Sequence, residues 1–228
     1  MDKTSGWFEA IDIYCERTDA SYWAEPINAI SNLAFIVSGL LAFRYARKLG
    51  ADPFVQGLCL WVGVIGIGSF LFHTHANAWS SLADVIPIQI FILAYTLFAL
   101  RRYLALGWPS SIMGTLLLIV GLGFLVSQAP QWLYDATNGS LSYAPAFVIL
   151  FGIGGYLMAD GHPAARGIIG AGAVFVLSLT IRSVDMAVCE AVPVGVHMFW
   201  HIFNGVLLGI LCVTAARHGR PLPSYAQA

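Results

Sequence analysis

Three histidines, a serine and an aspartate carry the chemistry that this chain offers. They lie in the stretches GSFLFHTHANAWSSLAD (68–84) and VGVHMFWHIFNG (194–205), as Ser69, His73 and Asp84 in the first and His197 and His201 in the second. Residues four apart on a helix share a face, about one turn apart in height. His197 and His201 therefore point at one centre, and His73 on another helix supplies a third nitrogen. Three neutral imidazoles plus a water form a common catalytic zinc shell. An H-x-x-x-H spacing alone is weak support. A third histidine, a serine one turn from it and an acid at the same depth strengthen the case. The plain alternative is a buried hydrogen-bond network that staples helices together. His75 points about 200° away from His73 on a helical wheel and is read as a loop residue. His162 and His218 are read as ordinary.

These groups need a scaffold that tolerates them in apolar surroundings. The 228 residues are 58% hydrophobic and only 10% charged, with a mean hydropathy of +0.76. Soluble domains carry roughly 25% charged residues, so the chain reads as a membrane protein. A net charge of -1 gives no electrostatic case for nucleic acid. The opening MDKTSGWFEAIDIYCERTDAS lacks an apolar core and is not read as a signal peptide.

Seven segments are apolar and long enough to span: 26–46, 54–73, 84–101, 109–128, 143–159, 165–185 and 196–216. No segment alternates like a barrel strand. The fold expected is an all-α, seven-transmembrane-helix bundle. Glycines in GIGGY (152–156) and GIIGAGA (167–173) suit close helix contact. Arg44, Arg47, Lys48, Arg101, Arg102, Arg166, Arg217 and Arg220 fall on one side, against Lys3 and Arg17 on the other. The positive-inside rule then puts the N-terminus outside and the C-terminus in the cytoplasm. The organisation expected is an extracytoplasmic cap (1–25), a seven-helix domain (26–216) and a cytoplasmic tail (217–228). The multi-pass protein would carry its site toward the extracytoplasmic side. No oligomer is predicted.

Ionisable groups inside spans are costly and each needs a reason. Arg182 and Asp185, three apart near the end of the sixth segment, read as an intrahelical ion pair. The functional alternative puts them behind the site or against a polar headgroup. Asn138-Gly139-Ser140 matches a glycosylation sequon, a weak three-residue signal. Cys59 and Cys212 lie within spans and read as small core residues.

On YCERTDASYWAEPINAISN (14–32), GSFLFHTHANAWSSLAD (68–84) and HMFWHIFNG (197–205), the chain resembles the alkaline ceramidases, seven-helix hydrolases in a wider superfamily with the adiponectin receptors. The resemblance implies Zn2+ on His73, His197 and His201, and cleavage of the amide of ceramide to sphingosine and a fatty acid. In that reading Asp84 moves the proton, and Ser69 donates to the oxyanion or positions the water. The resemblance also implies a Ca2+ site on Tyr14 (through its carbonyl), Glu16, Thr18 and Glu25. Ile13 stands where the family has an aspartate and Thr18 where it has an asparagine, so Asp12 or Asp19 is the candidate for the missing carboxylate. The family also has a disulfide in this region, which implies a Cys15–Cys189 bridge. The partner implied is a membrane lipid, ceramide or a related N-acyl lipid. The alternatives are the same site acting on another N-acyl or ester lipid, and a seven-helix receptor or carrier with a structural metal.

Overall fold

The computed structural model describes residues 5–221 of the chain. Residues 222–228 of the expected tail, and residues 1–4 of the expected cap, lie outside the described residues. Three quarters of the chain is helical and the described residues contain no strand. Seven helices are long and apolar enough to cross a membrane: α1 (Pro26–Lys48), α2 (Pro53–His75), α3 (Ala78–Arg102), α4 (Trp108–Ser127), α5 (Ser140–Ala159), α6 (Ala165–Val184) and α7 (His197–His218). The protein is an integral, multi-pass membrane protein.

Local chemistry sets the helix ends. Asp52 accepts the Phe54 amide at 3.0 Å ahead of α2, and Pro53 occupies its first position, where a missing N–H costs nothing. In α1, the Asn32 side chain donates to the carbonyl of Asn28 at 2.9 Å, and the regular ladder is interrupted there.

The turn between α2 and α3 departs from the sequence expectation. Asp84 was expected as the first residue of the third helix, after the short loop THANAWSSLA. Instead α2 runs through His75, Ala76 takes a left-handed conformation (φ 40°), and α3 begins at Ala78. Asn77 and Ser80 form a capping box, each side chain meeting the other's backbone N–H at 3.2 and 3.0 Å. Hydropathy misses such a start because its first turn, AWSS, is polar. The consequence is that Asp84 is carried inside the helix, and His75 is helical rather than in a loop.

Pro87 interrupts α3 and withholds the N–H that the Ala83 carbonyl would receive. At that level Gly68 of α2 packs against the Ala83 carbonyl, with no room for a Cβ. The helices therefore touch backbone to backbone where Ser69 and Asp84 sit.

The core contains Phe35, Ile65, Phe175, Leu207 and Leu211, with Cys59 and Cys212 free and buried among it. The N-terminal segment lies across the end of the bundle where α2 finishes and α7 starts. It is held there by the Ile11 amide on the Ala76 carbonyl at 2.7 Å and by a Cys15–Cys189 disulfide.

Candidate metal centre

His73 from the last turn of α2 and His197 and His201 from the first turns of α7 converge beneath this cap. Each is 1% exposed. One nitrogen from each lies within 4.8 Å of the others, and the ring centroids are 4.6 to 5.2 Å apart.

Hydrogen bonds decide which nitrogens are available. Nδ1 of His73 lies 2.6 Å from Oε2 of Glu25. A carboxylate only accepts, so Nδ1 carries the proton and the lone pair of His73 is on Nε2. Nδ1 of His201 lies 2.7 Å from Oγ of Ser31, whose hydroxyl points to the Asn28 carbonyl at 2.7 Å. With its proton donated there, Ser31 accepts from His201, and the lone pair of His201 is on Nε2. That atom is buried and has no hydrogen-bond partner among the described residues, and neither has Nδ1 of His197.

Buried polar atoms are rarely left without a partner. Here they belong to rings that each bring a ligand atom within 4.8 Å of the others, and a ring backed by a carboxylate is a common arrangement behind metal-ligating histidines. The set could hold a metal ion, and three imidazoles suit zinc.

The α7 pair is aimed by Asp185. Its Oδ1 accepts the amides of Val196 and His197 at 2.7 and 2.9 Å, and its Oδ2 the Cys15 amide at 3.2 Å. Asp185 thus caps α7 from a distance and joins it to the N-terminal segment. Arg182 does not form the ion pair expected with it. Its guanidinium donates to the Asn138 carbonyl at 2.6 Å and to the Ser140 hydroxyl at 3.0 Å, and lies over the rings of Tyr143 and Trp200. Arg182 is instead taken up by Asn138 and Ser140, and Asp185 by the amides of Cys15, Val196 and His197. The expected sequon is therefore part of the Arg182 seat, with Ser140 only 6% exposed.

Asp84 is half-buried, with Ser69, His73 and Arg182 near its carboxyl group. Its Oδ1 has no partner among the described residues. Ser69 and Asp84 thus lie beside His73 at the same end of the bundle as the histidine cluster. Below them an apolar cavity runs between α1, α2, α3, α5, α6 and α7, past Phe35, Phe91, Tyr143, Trp200, Leu207 and Tyr95. Trp200 stacks at 6.4 Å on His197, and Phe35 lies 6.2 Å from His201, so the cavity abuts the histidines.

The calcium ligands implied for the cap meet a different arrangement. Glu16 accepts the amides of Ile27 and Asn28 at 2.6 and 2.7 Å and so caps α1. Burial pushes its carboxyl above the usual range, against the pull of these amides. Glu25 meets Arg17 at 2.5 Å, as well as His73 and Asn28. Burial raises the Glu25 carboxyl, but His73 and Arg17 outweigh it and hold it below the ordinary value.

The Tyr14 carbonyl accepts the Arg17 amide at 3.2 Å, while the Tyr14 ring stacks 3.7 Å from His197. Thr18, Asp12 and Asp19 are exposed. The Asp19 carboxylate accepts the Ser21 amide at 2.7 Å. These residues do not fit calcium.

Sequence reasoning missed Arg17, Asn28 and Ser31. The signal was a polar stripe at 28, 31 and 32, at helical spacing within an otherwise apolar span. No relative matches among curated proteins. Residues 11–220, nearly the whole chain, match the family model described as Ceramidase, and the protein belongs to that family of ceramide-hydrolysing enzymes.

Proposed function

We propose that this protein is a zinc-dependent amidohydrolase that cleaves the N-acyl amide of ceramide within the membrane, releasing a sphingoid base and a free fatty acid. The observation that carries this reading is the set of three buried imidazoles, two with unpartnered nitrogens, against an apolar cavity. His73, His197 and His201 would hold the ion. Zinc, when bound, polarises the carbonyl and brings the pKa of a water to about 7.

The remaining steps belong to this chain's own residues. Asp84 accepts the proton of the attacking water as the new C–O bond forms. It then delivers that proton to the leaving nitrogen as the C–N bond breaks. Ser69, close to Asp84, would position the attacking water or donate its hydroxyl to the developing oxyanion. Phe91, Tyr143 and Trp200 line a dry path for a lipid chain beside the histidines. The basic last turns of α1, α3 and α7 (Arg47, Lys48, Arg101, Arg102, Arg217) support a cytoplasmic location for the opposite end. The site then faces the extracytoplasmic side.

Fatty-acid release from a ceramide panel by detergent-purified protein, with and without a zinc chelator, tests the reading. Release that stops with chelator and returns with zinc is expected. No release from protein holding about one zinc per chain would overturn the substrate. Release unaffected by full metal removal would overturn the mechanism.

A further inference from the structure

The N-terminal segment contains a buried cation of its own. Arg17 is 6% exposed. Its Nε donates to Oε1 of Glu25 at 2.5 Å, Nη1 to the carbonyls of Asp19 and Ser21 at 3.2 and 3.3 Å, and Nη2 to the His73 carbonyl at 3.3 Å. One carboxylate and three backbone carbonyls, from the 19–25 stretch and from the end of α2, converge on one positive charge. Carboxylate and carbonyl oxygens are the donors calcium takes. Here a guanidinium fills their midst, and its fixed fork matches them one by one.

Arg17 also grips His73 twice. It holds the backbone directly through the carbonyl, and it holds the ring through Glu25, whose other oxygen meets Nδ1 at 2.6 Å. A buried glutamate without a cation would carry an uncompensated charge. Arg17 supplies that charge covalently, from the segment that the Cys15–Cys189 disulfide ties down.

We propose that Arg17 is the resident cation of the cap, taking the place that calcium would otherwise fill, and that it positions His73 through Glu25 so that the site is assembled without calcium. The first half stands on the cap alone. The second rests on the metal-centre reading above.

The experiment uses the full chain in detergent, stripped of divalent ions. Binding of radioactive calcium by equilibrium dialysis and thermal unfolding with and without calcium at about millimolar concentration are measured first. No saturable site and no shift in Tm are expected. A saturable calcium site that raises Tm overturns the proposal.

Cobalt(II) is then titrated into wild type, Arg17→Lys and Arg17→Ala, read by its visible absorption. Arg17→Ala is expected to weaken cobalt binding by about 10- to 100-fold, the range for residues that support a metal-bound histidine. Added calcium or millimolar guanidinium should restore it by entering the vacated oxygen cage. Wild-type affinity and an unchanged spectrum in Arg17→Ala would refute the positioning role. If that variant fails to fold, Arg17→Lys, which keeps the charge but loses the fork, takes its place with the same expected direction. Absence of cobalt binding in the wild type would instead sink the metal-centre reading and leave the calcium result to stand by itself.

Discussion

Helices α4 and α7 are almost equally apolar, with mean hydropathies of 2.0 and 1.8, yet 11% of one and 56% of the other is buried in the bundle. Helix α4 turns Leu117, Val120, Phe124 and Leu125 outward, each about two-thirds exposed to what would be lipid, and it includes a wider π-turn over Leu117–Gly121. Helix α7 packs between α1 and α6 and carries His197, His201 and Asn204 on its buried face. Asn204 there donates to the Ser178 hydroxyl of α6 at 2.8 Å. The glycines differ in the same way. A Cβ on Gly205 of α7 would press on the Ala34 backbone, whereas one on Gly121 or Gly123 of α4 would meet nothing. Apolarity alone does not separate a lipid-facing helix from a central one, because lipid and protein interior are equally dry. Histidine and asparagine side chains at helical spacing do separate them, since such a group in lipid has no partner, whereas the Ser111 and Thr115 hydroxyls of α4 bond nearby backbone carbonyls of their own segment.

Substitutions can break or sharpen this contrast. The largest effect is expected from His201→Ala in α7. Loss of a ligand should abolish zinc retention and cost several kcal/mol of transition-state stabilisation, on the order of 10³-fold in turnover. Leu117→Ala in α4 should leave both unchanged, as metal analysis and fatty-acid release would show. Asp84→Asn in α3 should keep the zinc and lower turnover by roughly 10²–10⁴-fold. A variant that hydrolyses at the wild-type rate would remove Asp84 from the mechanism.

Ser31→Ala, which removes the partner of His201 Nδ1, should weaken zinc binding by about 10- to 100-fold. Chelator competition reads this directly. Next comes a glycine pair. Gly205→Ala should cost about 1–3 kcal/mol by overpacking α7 against α1. Gly121→Ala should be neutral or stabilising by up to about 1 kcal/mol through helix propensity. Equal melting temperatures for the two variants would contradict the difference in packing between these helices.

The smallest effect belongs to the far end, where Arg102 meets Asp52 at 2.5 Å, partly exposed. Burial raises the Asp52 carboxyl, but Arg102 outweighs it and the net shift is downward. A carboxyl whose pKa is depressed by folding stabilises above its unfolded value, near 3.9, and loses that contribution as pH falls through its folded value. Asp52→Asn should therefore lower stability near pH 7 by no more than about 1 kcal/mol. The gap to wild type should close only below about pH 4. A pH-independent gap would show that the pair acts by packing alone.

Much of the site was readable before the fold. His73, His197 and His201 announced themselves by residue type, because ionisable groups in apolar spans need a reason, and by the spacing of four on α7. The family resemblance supplied Cys15–Cys189, a pairing that composition could not choose. Glu25 was found as a residue but assigned elsewhere. Its place behind His73 depends on how the cap folds over the bundle, and that path is set by Glu16 on the α1 amides and by Arg17 among the carbonyls. The start of α3 was misplaced because a capping box of Asn77 and Ser80 is polar, and apolarity was the signal being read.

The sequence by itself determined that the chain lives in a membrane, that it crosses seven times, and which three imidazoles meet, since each follows from local composition and helical periodicity. Only the tertiary structure decided which nitrogen of His73 and His201 is free, where Arg182 and Asp185 turn, and that Arg17 is buried between Glu25 and the His73 carbonyl. Those outcomes depend on contacts between groups far apart in the chain. There, several polar partners compete for each buried donor, and geometry alone selects among them.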